Sequence, residues 1–259
     1  MPTEPGPIGL LAAGVLVVVA VGISLWRELG LARSMLWAAA RALAQLLLIG
    51  VALELVLDDD RPLALSWVWV ALMVLFAAWT ISRRAPEVPG VLVLSLVAFA
   101  ASLMVSLAVL FGLGVFPMEP RTVVPLAGLV VGNSLAATVL AGRRVVEELA
   151  EHVDEVEARL ALGMTSRGAA APFLRQAART ALIPQIETTK AVGIVFLPGA
   201  MVGLILAGAS PAGAVQVQIA VMYLVLGSVA TTSTIVAIGA ARRSFTPDHR
   251  YVPVPPRRR

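Results

Sequence analysis

The chain has 259 residues, 59% of them apolar and only 14% charged, with a mean hydropathy of +0.89 and a formal net charge of +4. A soluble domain of this size carries far more charge, so the long apolar runs have to be placed in lipid. The chain has no cysteine and two histidines, His152 and His249; no apolar run therefore offers a thiolate or an imidazole for a tight transition-metal site.

Seven runs, at 8–26, 35–57, 63–82, 91–111, 122–142, 191–209 and 213–241, are each long enough to cross a hydrocarbon core of about 30 Å as a helix. The opening MPTEPGPIGL has no basic residue, which predicts an uncleaved first span entering with the N-terminus outside. Arg27, Arg83, Arg84, Arg143, Arg144, Arg242 and Arg243 each follow a span, and of the 20 Lys and Arg all but Arg61 and Arg121 fall on or near the segments this topology makes cytoplasmic. The basic balance is thus accounted for by topology, and nucleic-acid binding is set aside. The expected fold class is an all-α polytopic membrane protein, 1–259 forming a single transmembrane domain with its C-terminus in the cytoplasm.

Along the chain, the second span carries Arg41 and, one turn on, Gln45; its outer end has Glu54 and Asp58 to Asp60, read as a solvated turn with Asp60 capping the helix that begins near Pro62. The fifth span carries Asn133 and Ser134. Such residues are costly in lipid, so they face either a bundle interior, as interhelical glue, or a watery path. Gly128, Gly132 and Ala136 in the fifth span and Gly199, Gly203 and Ala207 in the sixth recur every four residues, a spacing that either packs the two spans together or builds a dimer interface.

Residues 143–190 are expected to form a cytoplasmic helical hairpin. Val146, Leu149, Val153, Val156 and Leu160 lie on one face of an amphipathic helix over 143–162, and FLRQAARTALIPQIETTK forms a second, with the turn at Gly163, Thr165, Ser166 and Gly168. His152 with Glu155 is read as solvated rather than metal-binding. The sixth run, GIVFLPGAMVGLILAGASP, is apolar but interrupted by Pro198, which has no N–H to give the carbonyl of Ile194. This predicts two half-helices meeting near Leu197 and Pro198, with Gly199 allowing close approach and freed carbonyls facing a substrate, or else a simple kink satisfied by a neighbour. Met201 is a soft ligand or packing. The Pro- and Arg-rich tail 242–259 is expected to be disordered.

At EARLALGMTS and GIVFLPGAMVGLILAGASPAGAVQVQI the sequence resembles the FetB-type permeases of bacterial iron-export ABC transporters, whose plant relatives are linked to aluminium tolerance. The resemblance runs from Arg41, Gln45 and Gly50 through Gly132, Asn133 and Ser134 to Arg159 and Gly163, then Leu197 to Met201, Gly203 and Gln218. Val202 and Leu204 depart from it, being less polar than the positions they match. The resemblance implies a homodimeric permease paired with two copies of a cytosolic ATPase, exporting a metal ion or metal complex, iron by resemblance only, across the bacterial inner membrane. The candidate substrate path comprises Arg41, Gln45, Asn133, Ser134, Ile194, Pro198, Gly199, Met201 and Gln218. Glu157, Arg159, Gly163 and Arg167 are the candidate coupling residues for the ATPase.

The only lysine is Lys190, outside any G-x-x-x-x-G-K-[ST] loop, so ATP would be bound by a partner subunit and this chain is expected to carry no cofactor. No catalytic motif is present, and the chain is read as a transport subunit rather than an enzyme. The competing readings are a secondary transporter driven by an ion gradient and a membrane assembly factor that transports nothing.

Overall fold

The computed structural model describes residues 7–56 and 62–253. It is all-helical: α1 (Pro7–Trp26), α2 (Ala32–Val56), α3 (Leu63–Arg84), α4 (Val91–Gly112), α5 (Pro120–Glu151), α6 (Val153–Ala161), α7 (Ser166–Ala191), α8 (Gly199–Leu206) and α9 (Pro211–Arg243). Proline at the first turn of α5 and α9 suits the fixed φ of a helix start. Ser210 and Thr165 accept hydrogen bonds from Gly213 N at 3.2 Å and Gly168 N at 3.3 Å and so cap α9 and α7.

The core is built by α3, α4, α5, α7 and α9, and its register is fixed by small residues and hydroxyls. Ser134 Oγ of α5 lies 3.3 Å from Ser228 Oγ of α9, and Ser102 Oγ of α4 donates to the Ser228 carbonyl at 3.4 Å. Further along, Gly142 faces Val236 and Val88, and Gly239 faces Leu94. These pairs make α5 parallel to α9 and α4 antiparallel to both. The C-terminal arginines of α3 and α9 and Arg143 and Arg144 of α5 then gather at one basic end, where Arg143 Nε lies 2.6 Å from Glu87 Oε1 and Arg243 donates to the Gly90 carbonyl at 3.2 Å. Arg143 Nε is buried without hydrogen-bond geometry, so the first contact is an ion pair by proximity alone. The α1–α2 pair touches the core thinly, through α3, and none of the apolar window of α2 is buried.

Several expectations change. Among the described residues five helices are long and apolar enough to cross a membrane: Ala32–Glu54 within α2, α3, α4, α5 and α9; α1 adds a shorter apolar stretch, Ala12–Trp26. The predicted span 191–209 is not a crossing helix: α7 ends at Ala191, 192–198 are non-helical, and α8 has only 8 residues. The fifth span continues as one helix through the first half of the amphipathic segment to Glu151, because Val146 and Leu149 continue its buried face, and the second half, past His152, is the separate helix α6.

The second amphipathic helix does not stay beside the first at the basic end. Ser166 Oγ at the start of α7 is 2.7 Å from His249 Nδ1, just past α9, whereas Thr189 near its end shares a cavity with Gln218 and Met222. α7 therefore climbs antiparallel along α9, and from Ala170 to Thr189 it rises about 29 Å at 1.5 Å per residue. Its buried face, Ala169, Ala170, Phe173, Ala177 and Ala181, is small enough for close approach to α5 and α9.

The glycine ridges of the fifth and sixth runs do not pack on each other. A Cβ at Gly132, Gly199 or Gly203 would meet nothing within 4 Å, and Gly128 faces only the Met73 methyl. The tail, expected to be disordered from 242, folds back in its described part: Phe245 bridges to Tyr251, their rings 5.6 Å apart, and Val252 N donates to the Ser244 carbonyl at 2.9 Å. Burial there raises the Tyr251 hydroxyl pKa. Asp58 to Asp60, with the cap assigned to Asp60, lie outside the described residues.

The contrast between glycines is testable. An added Cβ at Gly142 would lie 3.2 Å from both Val236 Cγ1 and Val88 Cγ2, so Gly142→Leu overpacks the contact of α5 with α9 and the α3–α4 turn by about 1–3 kcal/mol and lowers the thermal midpoint in detergent. Gly132→Leu, in the same helix, leaves it unchanged; equal losses would contradict the packing described.

Candidate functional site

The interruption before α8 forms one wall of a site. Gly193, at φ 85°, turns the chain out of α7, and its N–H donates to the Phe196 carbonyl at 2.9 Å. Pro198 follows in extended conformation, φ −62° and ψ 146°, as the N-cap residue of α8, its carbonyl accepting from Val202 N at 3.0 Å. The proline thus starts a helix rather than breaking one. Only the second of the two expected half-helices exists, since Val192 to Leu197 are looped.

Behind this loop lies a cavity of about 370 Å3 lined by Thr189, Gly193, Leu197, Met201, Gln218 and Tyr223, among others. Gln218 is 5% exposed and its Oε1 has no hydrogen-bond partner. A buried amide oxygen left unpaired costs about 1–3 kcal/mol, a cost a ligand in the cavity could remove.

Of the predicted path residues, Met201 and Gln218 line this cavity, and Pro198 and Gly199 shape its rim. Ile194 is 91% exposed and leaves it. Ser134 is buried in the hydroxyl cluster with Ser228 and acts as interhelical glue; Ser228, its partner, was not singled out from the sequence. Asn133 is exposed, its Nδ2 donating to the Leu129 carbonyl at 2.9 Å within α5. Arg41 and Gln45 lie on α2, which packs on α1 and touches α3, and neither lines the cavity.

Sequence reading also missed the role of α7. Opposite its alanine seam it exposes Arg175, Gln176, Arg179, Ile183, Glu187 and Lys190, a face that rises beside α9 from the basic end toward the cavity. Lys190 Nζ and Glu187 Oε1 pair at 2.9 Å, while Arg179 has no ion-pair or hydrogen-bond partner among the described residues. A charged side chain at the centre of a membrane helix costs roughly 2.5–3.5 kcal/mol, so this face belongs against protein or water and not against lipid.

At the basic end, Gly163 makes the turn between α6 and α7. It has φ 83°, with its N–H on the Leu160 carbonyl at 2.9 Å and Met164 N on the Arg159 carbonyl at 3.2 Å. Arg159, a predicted coupling residue, pairs with Glu155 at 2.6 Å and lies over the Phe173 ring at 5.8 Å. Glu157 and Arg167 are exposed, as is Leu162 at the apex, 83% exposed, which the sequence pattern places as the last residue of the amphipathic helix. Ligand atoms of Glu148, Glu151 and His152 lie within 4.8 Å of one another. His152 is engaged in the fold: it stacks on Phe173 at 5.0 Å, and its Nδ1 meets the Glu148 carbonyl at 2.9 Å, ending α5.

Long apolar helices, a core seamed by small residues and an interrupted segment beside a cavity define a polytopic α-helical integral membrane protein. The chain belongs to the uncharacterised protein family UPF0014, whose profile matches residues 7–245. It is 38% identical over 234 residues to the UPF0014 membrane protein STAR2 of Oryza sativa subsp. japonica, covering 90% of this chain and 81% of the relative. It is 36% identical over 241 residues to the probable iron export permease protein FetB of Escherichia coli, covering 91% and 90%. With the protein ALUMINUM SENSITIVE 3 of Arabidopsis thaliana it shares 34% identity over 242 residues, 93% and 87% of the two chains. No solved structure matches the chain. The family resemblance read from the sequence is therefore correct.

The turn at Gly163 yields a direct check. A β-branched residue at φ 83° costs about 1–2 kcal/mol, so Gly163→Val loosens the α6–α7 hairpin and speeds tryptic cleavage at Arg159 and Arg167. Gly203→Val, where a Cβ meets nothing, cleaves at the rate of the unmodified protein; equal rates for all three would remove the strained turn.

Proposed function

We propose that this chain is the permease subunit of an ABC-type exporter, carrying a metal ion or metal complex out of the cytoplasm as a homodimer driven by separate ATPase subunits. The observation that carries the reading is the 36% identity to a protein named as a probable iron export permease, over nine-tenths of both chains. The cavity beside the interrupted segment supports it, since transporters place discontinuous helices at their substrate sites. The oxygen-bearing groups Gln218 Oε1 and Thr189 Oγ1 are the donors this cavity offers an incoming solute or its hydration shell.

No phosphate-binding loop exists on the chain, so the energy has to enter through a partner. The α6–α7 hairpin, with Glu157, Leu162, Gly163 and Arg167 exposed at its apex, is the proposed docking element. The proposed orientation puts the basic end, this hairpin and the C-terminus in the cytoplasm of a bacterial cell, with the N-terminus outside. α7 then leads away from the cytoplasmic surface, and Glu187 and Lys190 lie toward the far side.

The test is ATP-dependent metal flux in inverted vesicles holding this chain with its ATPase. Gln218→Leu removes an unpaired buried amide at nearly constant volume, so the thermal midpoint is held or raised while flux falls about tenfold or more. Normal flux in Gln218→Leu would remove the cavity from the path; absence of ATP-dependent flux in the unmodified pair would overturn the exporter reading.

A further inference from the structure

We infer that the exposed face of α7 is one wall of a water-filled, electropositive cleft between two copies of this chain, and that the cleft accepts an anionic solute. The inference rests on the permease reading and names its surface and its substrate class: a metal would pass as a negatively charged chelate and not as the bare cation.

The face spans the height of the bundle, from Ser166 beside His249 to Thr189 beside Gln218. Nothing among the described residues covers it, and its charges exclude lipid. Its charge pattern fits a second copy. Under a two-fold axis along the membrane normal, residues at one height face themselves and their near neighbours, so the contact has to be self-complementary. Glu187 and Lys190 are one turn apart, 2.9 Å between their charged atoms, and both are exposed. Two copies can exchange them reciprocally, Lys190 of each reaching Glu187 of its mate, which closes the end of the cleft near the cavity.

Lower on the same face the logic reverses. Arg175 donates only to the Ala171 carbonyl within its own helix, at 3.3 Å, and Arg179 has no partner among the described residues. Across the axis these guanidiniums meet their equals, so the walls repel there and water fills the gap, open toward the basic end. A cleft with low-dielectric walls and one sign of charge concentrates the opposite ion. A bare divalent cation is repelled at that entrance; a carboxylate-rich chelate is drawn in toward Thr189 and Gln218.

The absence of native cysteine makes single thiols readable in native membranes, without ATP or ATPase. Ile183→Cys, between Arg179 and Glu187 on the face, should react with impermeant methanethiosulfonates, whereas Met104→Cys, exposed on α4 at similar depth, should not. The sulfonate reagent should modify Ile183→Cys faster than the trimethylammonium reagent, and adding Arg179→Gln should cut that preference roughly threefold or more. Glu187→Cys treated with a short bifunctional thiol reagent should give a covalent product of twice the chain mass. An Ile183→Cys thiol as inert as Met104→Cys, a preference for the cationic reagent, or a cross-linked product of any other mass would overturn the inference. These readouts do not depend on export, so an intact cleft without ATP-dependent flux would count against the permease reading alone.

Discussion

Everything distinctive in this molecule depends on an alanine seam. Ala169, Ala170, Ala177 and Ala181 of α7 meet α5 and α9, and Ala237, Ala240 and Ala241 on α9 are buried as well. Small residues let helix backbones approach closely, which compensates by dispersion for the weak driving force between helices in lipid. That contact holds a helix rich in charge along the full height of an apolar bundle. Without it, α7 would have no reason to leave the surface.

The seam works because the frame behind it is already in register. The Ser102–Ser134–Ser228 cluster joins α4, α5 and α9 through groups that would otherwise be unsatisfied in an apolar core, and Gly142 and Gly239 let the same helices touch near their basic end. Thr138 and Thr232 bond back to their own helices, to the carbonyls of Ser134 at 2.7 Å and Ser228 at 2.9 Å. Their hydroxyls are thus satisfied locally and do not draw water into the frame. The interrupted segment is left at the periphery, held by α8 against α9, where a cavity can open without disturbing this core.

Much of the architecture could be read from the sequence, because helices crossing lipid announce themselves by hydropathy: α2, α3, α4 and α9 were found within a few residues, and so was the start of α5, whose end lies nine residues further on. Hydropathy failed where composition and position part company. α7 is half alanine seam and half charge, so its average is polar, and it was assigned to the surface. Residues 191–209 are apolar throughout, so they were assigned a crossing they do not make; Gly193, Pro198 and Gly208 interrupt the helix there, two of them at positive φ. The site was legible in part for the same reason. Pro198, Gly199 and Met201 lie in that interruption and Gln218 faces it from α9, whereas Ser134 was singled out for polar character that the fold spends on Ser228.

The placement of α7 is the claim on which the rest hangs, and one distance decides it. With spin labels at Thr188→Cys on α7 and Gln216→Cys on α9, pulsed electron-spin spectroscopy on the reconstituted protein should give an intramolecular separation below about 25 Å, since both lie toward the end of the bundle away from the arginines. A helix left at the basic surface would instead put the labels near 40 Å, the length of α9 from Gln216 to Arg242 at about 1.5 Å per residue. That result would contradict the fold of α7 and the cleft built on it.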